Sequence, residues 1–217
     1  MEINDITLSD VLPRVFEQCP PAHSDVWGTD LRLHRGAYYL IEAESGAGKS
    51  SLCSFIYGAR HDYKGTIRFD GTDISAFSLS KWCEIRRTSM ALLPQEMRIF
   101  PELTALENIQ LKNSLTRHRS SEQIMLMMQA LEIDNKAHTP AALLSIGQQQ
   151  RVAIVRALCQ PFSFLLLDEP VSHLDRRNNL AAARLILQAA NEQNAAIIAT
   201  SVGNPILLEA DLTAIKL

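Results

Sequence analysis

The clearest chemistry in this chain lies in ESGAGKSS, residues 44–51, set between the apolar run AYYLIEA and the segment LCSFIYGAR. Ala43, four further residues and then Gly48, Lys49 and Ser50 have the spacing of a phosphate-binding loop joining a strand to a helix. Glycines let backbone N–H groups curl around phosphate oxygens, Lys49 brings a mobile cation to the terminal phosphates, and the Ser50 hydroxyl can ligate magnesium. The positive end of the following helix adds to the attraction. A chance glycine turn capped by serine shares the short pattern, but the flanking strand and helix favour the phosphate reading. Ala43 stands where many such loops have Gly, a place that accepts Ala.

FLLLDEP, residues 164–170, supplies the second half of a reaction. A carboxylate at the end of a buried strand can hold magnesium through water while its neighbour reaches the attacking water. Asp168 takes the metal role and Glu169 that of general base, a role worth about 10²- to 10⁴-fold in rate. Without the phosphate loop the pair would be ordinary acids ahead of Pro170.

A third stretch, LLSIGQQQRVAIVRAL, residues 143–158, opens a helix. Ser145 and Gln148 fit a capping box, in which each side chain satisfies a backbone N–H of the first turn. Gly147 is not explained by capping, because Gly weakens a helix by about 1 kcal/mol relative to Ala. Its presence points to a close approach to the backbone, and a helix N-terminus is a ready site for an anion.

These residues need elements to carry them. AYYLIEA, SMALLPQ, SFLLLDE and AAIIATS have the composition of strands buried on both faces, as in a parallel sheet covered by helices. Ligands gather beyond the carboxyl ends of such strands, so Gln95, Asp168, Glu169 and Ser201 are expected on one edge. Before Gly36, and again in GTIRFDGTDI, alternation with turn signals predicts a small antiparallel layer. From Gln95 to Ser145 the pattern is helical, with capping boxes at Thr104–Glu107 and Ser120–Gln123. The methionines of IMLMMQAL read as adaptable core filling ahead of a docking surface.

Composition limits the alternatives. With 47% hydrophobic and 21% charged residues the chain is that of an ordinary globular protein, and a net charge of -3 argues against a nucleic-acid partner. No apolar run approaches the roughly 18 residues that span a bilayer, and MEINDITLSD lacks the order of a signal peptide. The expected setting is cytosolic, and no appended regulatory domain is expected after the final apolar segment DLTAIKL. Cys19, Cys53, Cys83 and Cys159 are too scattered for a metal knuckle and read as reduced, mostly buried thiols.

Taken together, the motifs resemble the nucleotide-binding subunit of ATP-binding-cassette transporters, over nearly the whole chain and in the expected order. ESGAGKSS is similar to the Walker A loop, LLPQ to the Q-loop, LLSIGQQQR to the signature, FLLLDEP to the Walker B strand and SHLD to the D-loop. The resemblance implies an α/β fold: a P-loop NTPase with a mostly parallel sheet flanked by helices, an N-terminal antiparallel β layer and an inserted helical subdomain. It implies one domain over residues 1–217, with the helical subdomain inserted at about 96–157. Ser45, Gly46, Ala47, Gly48, Lys49, Ser50 and Ser51 would cradle ATP, and Ser50, Gln95 and Asp168 would hold Mg2+.

Head-to-tail pairing of two such subunits, as a homodimer or heterodimer, would bring Ser145, Gly147 and Gln148 to the nucleotide of the partner. By the same resemblance Asp175 organises the opposite site, Phe16 is the candidate for stacking on adenine, and Gln95 senses the helical subdomain. A separate integral membrane permease is the implied partner, which places the subunit on the inner face of the cell membrane. LLPQEMRIFPELTALENIQL is similar to the branch of lipoprotein-release, macrolide-export and cell-division ATPases.

Two positions depart from the family pattern. Ile146 replaces the first Gly of the signature pair, so that turn must use a conventional backbone. Ser201 stands where the family has a switch His, and a hydroxyl cannot carry positive charge. The second departure opens another expectation: a low-turnover ATP-binding module that signals by nucleotide-dependent pairing with a membrane partner.

Overall fold

The computed structural model describes residues 2–21 and 23–217. Among them β1 (Asp5–Pro13), β2 (Asp30–His34), β4 (Tyr63–Phe69) and β5 (Thr72–Asp73) form an antiparallel sheet in the order β2-β1-β4-β5. A second sheet has the order β6-β7-β8-β3-β9, from β3 (Tyr38–Glu42), β6 (Met90–Leu93), β7 (Phe164–Asp168), β8 (Ala196–Ser201) and β9 (Leu212–Lys216). Its described pairings are all parallel. The helices are α1 (Lys49–Ile56), α2 (Leu79–Thr88), α3 (Ala105–Asn113), α4 (Ser121–Ala130), α5 (Ile146–Leu158) and α6 (Arg176–Glu192).

Burial follows from the sequence pattern. β7 and β8 are buried at every position, as uninterrupted apolar runs require, whereas β1 alternates and turns one face to solvent. The parallel sheet therefore has two apolar faces. On one, Leu166 and Ile198 pack with Leu52, Phe55 and Ile56 of α1 and with Ile6, Leu8 and Ile67 of the antiparallel sheet. On the other, Leu165, Leu167 and Ile197 share a core with Ile109, Met128, Val152 and Ile186 from α3, α4, α5 and α6. Met127 and Met128 lie in that core, while the adjacent Leu126 is exposed.

The helix starts obey local rules. Thr104, Ser120 and Ser145 each form a complete capping box with the residue three places on. The sequence carries little strand signal at β9, because only Ile215 in it is buried and an edge strand shows little periodicity. The cysteines require a correction: Cys53 and Cys159 are buried, but Cys19 and Cys83 are exposed. Apolar loop and helix neighbours bury the first two; the polar segments around the others do not.

Gly65 marks where the two longest antiparallel strands bulge. Its φ is +87°, the β1–β4 register shifts between Ser9 and Leu12, and an added Cβ would sit 2.3 Å from the carbonyl oxygen of Asp10. Left-handed strain of about 1–2 kcal/mol and overpacking of about 1–3 kcal/mol then add. Gly65→Ala should lower the urea midpoint by the equivalent of about 3 kcal/mol with an unchanged slope; an unmoved midpoint would show that the bulge relaxes freely.

Candidate nucleotide-binding site

The phosphate loop crosses from the carboxyl end of β3 to α1. Gly46 and Gly48 take positive φ of 85° and 98°, and Gly48 is the residue that caps α1. Left-handed backbone turns successive N–H groups inward, which is the geometry of an anion cradle. Lys49 is only 5% exposed, and its Nζ donates to the carbonyl oxygens of Ala43 at 3.0 Å and Glu44 at 2.6 Å. The ammonium thus lies over the loop that it would serve. Ser50 is exposed at the helix start and Ser51 half-buried behind it.

Aromatic residues support the loop from the antiparallel side. Trp27 Nε1 donates to the Ala47 carbonyl at 3.0 Å, and the Trp27 ring meets Phe55 of α1 edge-on with centroids 6.3 Å apart. A methyl group on Gly48 would lie 3.1 Å from Trp27 and 3.3 Å from Phe16. Phe16, half-buried in a short turn after β1, is therefore a neighbour of the cradle. Trp27 escaped the sequence reading because a lone Trp carries no spacing signal.

The sheet edge assembles the acids. Asp168, 5% exposed, accepts a hydrogen bond from Thr200 Oγ1 at 2.8 Å, and the same hydroxyl accepts the backbone N–H of Glu169 at 3.1 Å. Thr200 likewise carries no signal in the sequence, since its role depends on β7 lying beside β8 with Asp168 opposite Thr200. Glu169 has a left-handed backbone, φ 51°, which turns its side chain away from the strand line. Its carboxylate accepts the Gln95 amide N–H at 3.3 Å. Ser201 pairs with Glu42 at the root of the phosphate loop, and its buried hydroxyl has no hydrogen-bond partner among the described residues.

α1 and β7 are neighbours, and the buried Cys53 thiol is pushed well above its ordinary range, first by burial and then by the Asp168 charge. The loop thus faces the acids across the sheet edge.

The signature residues sit elsewhere. Ser145 Oγ accepts the Gln148 N–H at 3.3 Å and Gln148 Oε1 accepts the Ser145 N–H at 2.9 Å, so both are engaged in capping α5. No described hydrogen bond joins Ser145, Gly147 or Gln148 to the phosphate loop. Ile146 is the first helical residue, has no positive φ and is 53% exposed. A Cβ on Gly147 would meet the His173 carbonyl oxygen at 3.1 Å, so a close backbone neighbour within the chain already explains the glycine. Asp175 caps α6 by accepting the Asn178 N–H at 2.8 Å, and that bond holds its carboxyl below the usual range.

The donors present suit the groups the motifs imply. A hydroxyl, a carboxylate and a carboxamide are hard oxygen ligands of the kind magnesium takes alongside waters. The orphaned Ser201 hydroxyl and the glycine cradle suit a phosphate.

Comparison with known proteins agrees with this geometry. A family model described as ABC transporter matches residues 27–172, and the chain belongs to that family. It is 33% identical over 166 residues to the ABC transporter ATP-binding protein YtrE of Bacillus subtilis, covering 75% of this chain and 72% of that protein. It is 31% identical over 201 residues to the lipoprotein-releasing system ATP-binding protein LolD of Zymomonas mobilis, covering 91% and 86%. It also matches the macrolide export ATP-binding/permease protein MacB of Marinobacter nauticus at 30% over 206 residues, 92% of this chain but 31% of MacB. Its place is therefore with the ATP-binding subunits of the LolD and MacB branch. Among solved structures, the dimeric MJ0796 cassette shares the fold with TM-score 0.79, 24% identity and coverage of 97% and 94%.

Proposed function

We propose that this chain is a Mg-dependent ATPase that drives a separate membrane permease, two cassettes closing around ATP and reopening after hydrolysis. The observation that carries this is the cradle of Gly46, Gly48 and Lys49 beside the hydrogen-bonded Gln95–Glu169 pair. Lys49 exchanges the Ala43 and Glu44 carbonyls for the terminal phosphates. Ser50, Asp168 and Gln95 would hold magnesium, which when bound would supply neutralisation of the phosphate charge. Glu169 takes a proton from the water that attacks the terminal phosphorus, and ADP and phosphate leave. Phe16 stacks on the adenine. Two cassettes pair, as the dimeric form of MJ0796 supports, and Ser145, Gly147 and Gln148 act on the nucleotide of the partner cassette.

No described helix is long and apolar enough to cross a membrane; in this reading the permease is a second chain and the cassette sits peripherally on the cytoplasmic face. MacB, whose name includes a permease, extends well beyond the part that matches this chain. A groove of about 320 Å³ after the Gln95 turn, with exposed Phe100 and Leu111, is a surface for the permease. Phosphate release by the full chain, measured against a Glu169→Gln variant, tests the activity. Purification from detergent-solubilised membranes tests the partner: failure of any integral membrane protein to accompany the tagged chain counts against it.

The unpartnered Ser201 hydroxyl favours one further reading, that turnover is low and nucleotide-dependent pairing is the signal. Ser201→His separates the two. If a missing imidazole limits hydrolysis, the substitution should raise kcat by about 10-fold or more, within the range of an added acid or base group. An unchanged kcat would mean that the site works around the serine.

A further inference from the structure

Three left-handed, non-glycine residues flank the candidate catalytic side chains: Met97 and Arg98, with φ 57° and 50°, and Glu169 itself at 51°. Such backbone persists only where the surroundings over-determine it, and it concentrates at functional sites. Both turns are held by one helix. Arg156, in the last turn of α5, donates from Nη1 to the Arg98 carbonyl at 2.8 Å and from Nη2 to the Met97 carbonyl.

Earlier on the same helix Gln150, 1% exposed, donates from Nε2 to the Glu169 carbonyl and to Ser172 Oγ, each at 3.3 Å. Its Oε1 accepts the His173 N–H at 2.9 Å. All its described hydrogen bonds therefore go to the segment that carries Glu169.

α5 is one uninterrupted helix of 13 residues, anchored by the buried Val152, Ile154, Val155 and Leu158. From Ser145 to Arg156 it spans about 16 Å at helical rise. Gln95 lies two residues before the clamped turn, and its amide reaches Glu169 at 3.3 Å. That contact joins two segments far apart in sequence, and neither end fixes the other alone.

We propose that Arg156 and Gln150 are positioning residues, and that α5 is a rigid tie setting Gln95 against Glu169. Any push on the Ser145–Gln148 turn at the start of α5 then reaches both residues through this tie. The inference rests on the ATPase reading and deepens it, by naming how contact with the signature turn is passed to the reacting groups.

Steady-state phosphate release by the full chain tests it. Arg156→Lys keeps the charge but cannot fork to two carbonyls, and Gln150→Met fills the space without the polar atoms. Each is expected to lower kcat by about 10- to 100-fold, the cost of an ångström-scale misplacement, with KM for ATP within about twofold because the phosphate loop is untouched. Guanidinium ion added at low concentration should restore part of the kcat of Arg156→Ala, which a merely structural role would not allow.

An unchanged kcat in both variants overturns the proposal. So does a loss shared equally with ATP affinity and melting temperature and not rescued by guanidinium. A wild-type chain that releases no phosphate removes the ATPase reading and this inference together, whereas an active wild type with unaffected variants removes the tie alone.

Discussion

Glu169→Gln is expected to bind ATP as tightly as the wild-type chain and to release phosphate at less than about one hundredth of its rate, the lower end of what a general base contributes. The amide keeps the size and can still meet Gln95, so the local geometry survives; what is lost is the carboxylate's charge and basicity, which take the proton of water. The Thr200 hydroxyl continues to hold the Glu169 N–H and the Asp168 carboxylate, leaving the metal ligand in place.

With hydrolysis blocked and Mg-ATP saturating, the variant should also move to twice the monomer mass in light scattering, because two cassettes then stay closed on uncleaved nucleotide. Equal rates for variant and wild type would remove the enzyme reading. A variant that stays monomeric, alone and with its membrane partner, would remove the shared-site reading.

Lys49→Ala should weaken ATP binding by about 100-fold, measured by calorimetry, because a charge-assisted hydrogen bond in a shielded site is worth up to about 3 kcal/mol. Two features make the loss large. Lys49 is almost wholly buried, which shields its charge from screening, and its described side-chain hydrogen bonds go to neutral carbonyls, so no carboxylate there competes with a phosphate. The folded chain should change little, since the Ala43 and Glu44 carbonyls stand at a loop that water can reach. An affinity unaltered by the substitution would mean that the terminal phosphates bind elsewhere.

Much of this site could be read from the chain because its parts are local. A capping box needs only a residue and its neighbour three places on, and Thr104, Ser120 and Ser145 form theirs as the sequence predicts. Gly46 and Gly48 take the positive φ that the loop requires, and the four apolar runs become β3, β6, β7 and β8 because each carries its own burial signal. Ile146 enters the helix with ordinary backbone for the same kind of reason, its β-branched side chain excluding the alternative.

Local rules do not reach the partners that meet across the fold. The order β6-β7-β8-β3-β9 places Thr200 opposite Asp168 and Ser201 opposite Glu42, and no spacing within either segment encodes that. Trp27 beneath the phosphate loop, the His173 carbonyl against Gly147, and the grip of α5 on two distant turns are likewise contacts between segments. The sequence by itself determined the elements and the chemical groups they carry, since helix caps, turns and buried runs depend on near neighbours. Tertiary structure alone decided which of those groups meet, because strand order and helix packing are settled by burying the two faces of one sheet at once.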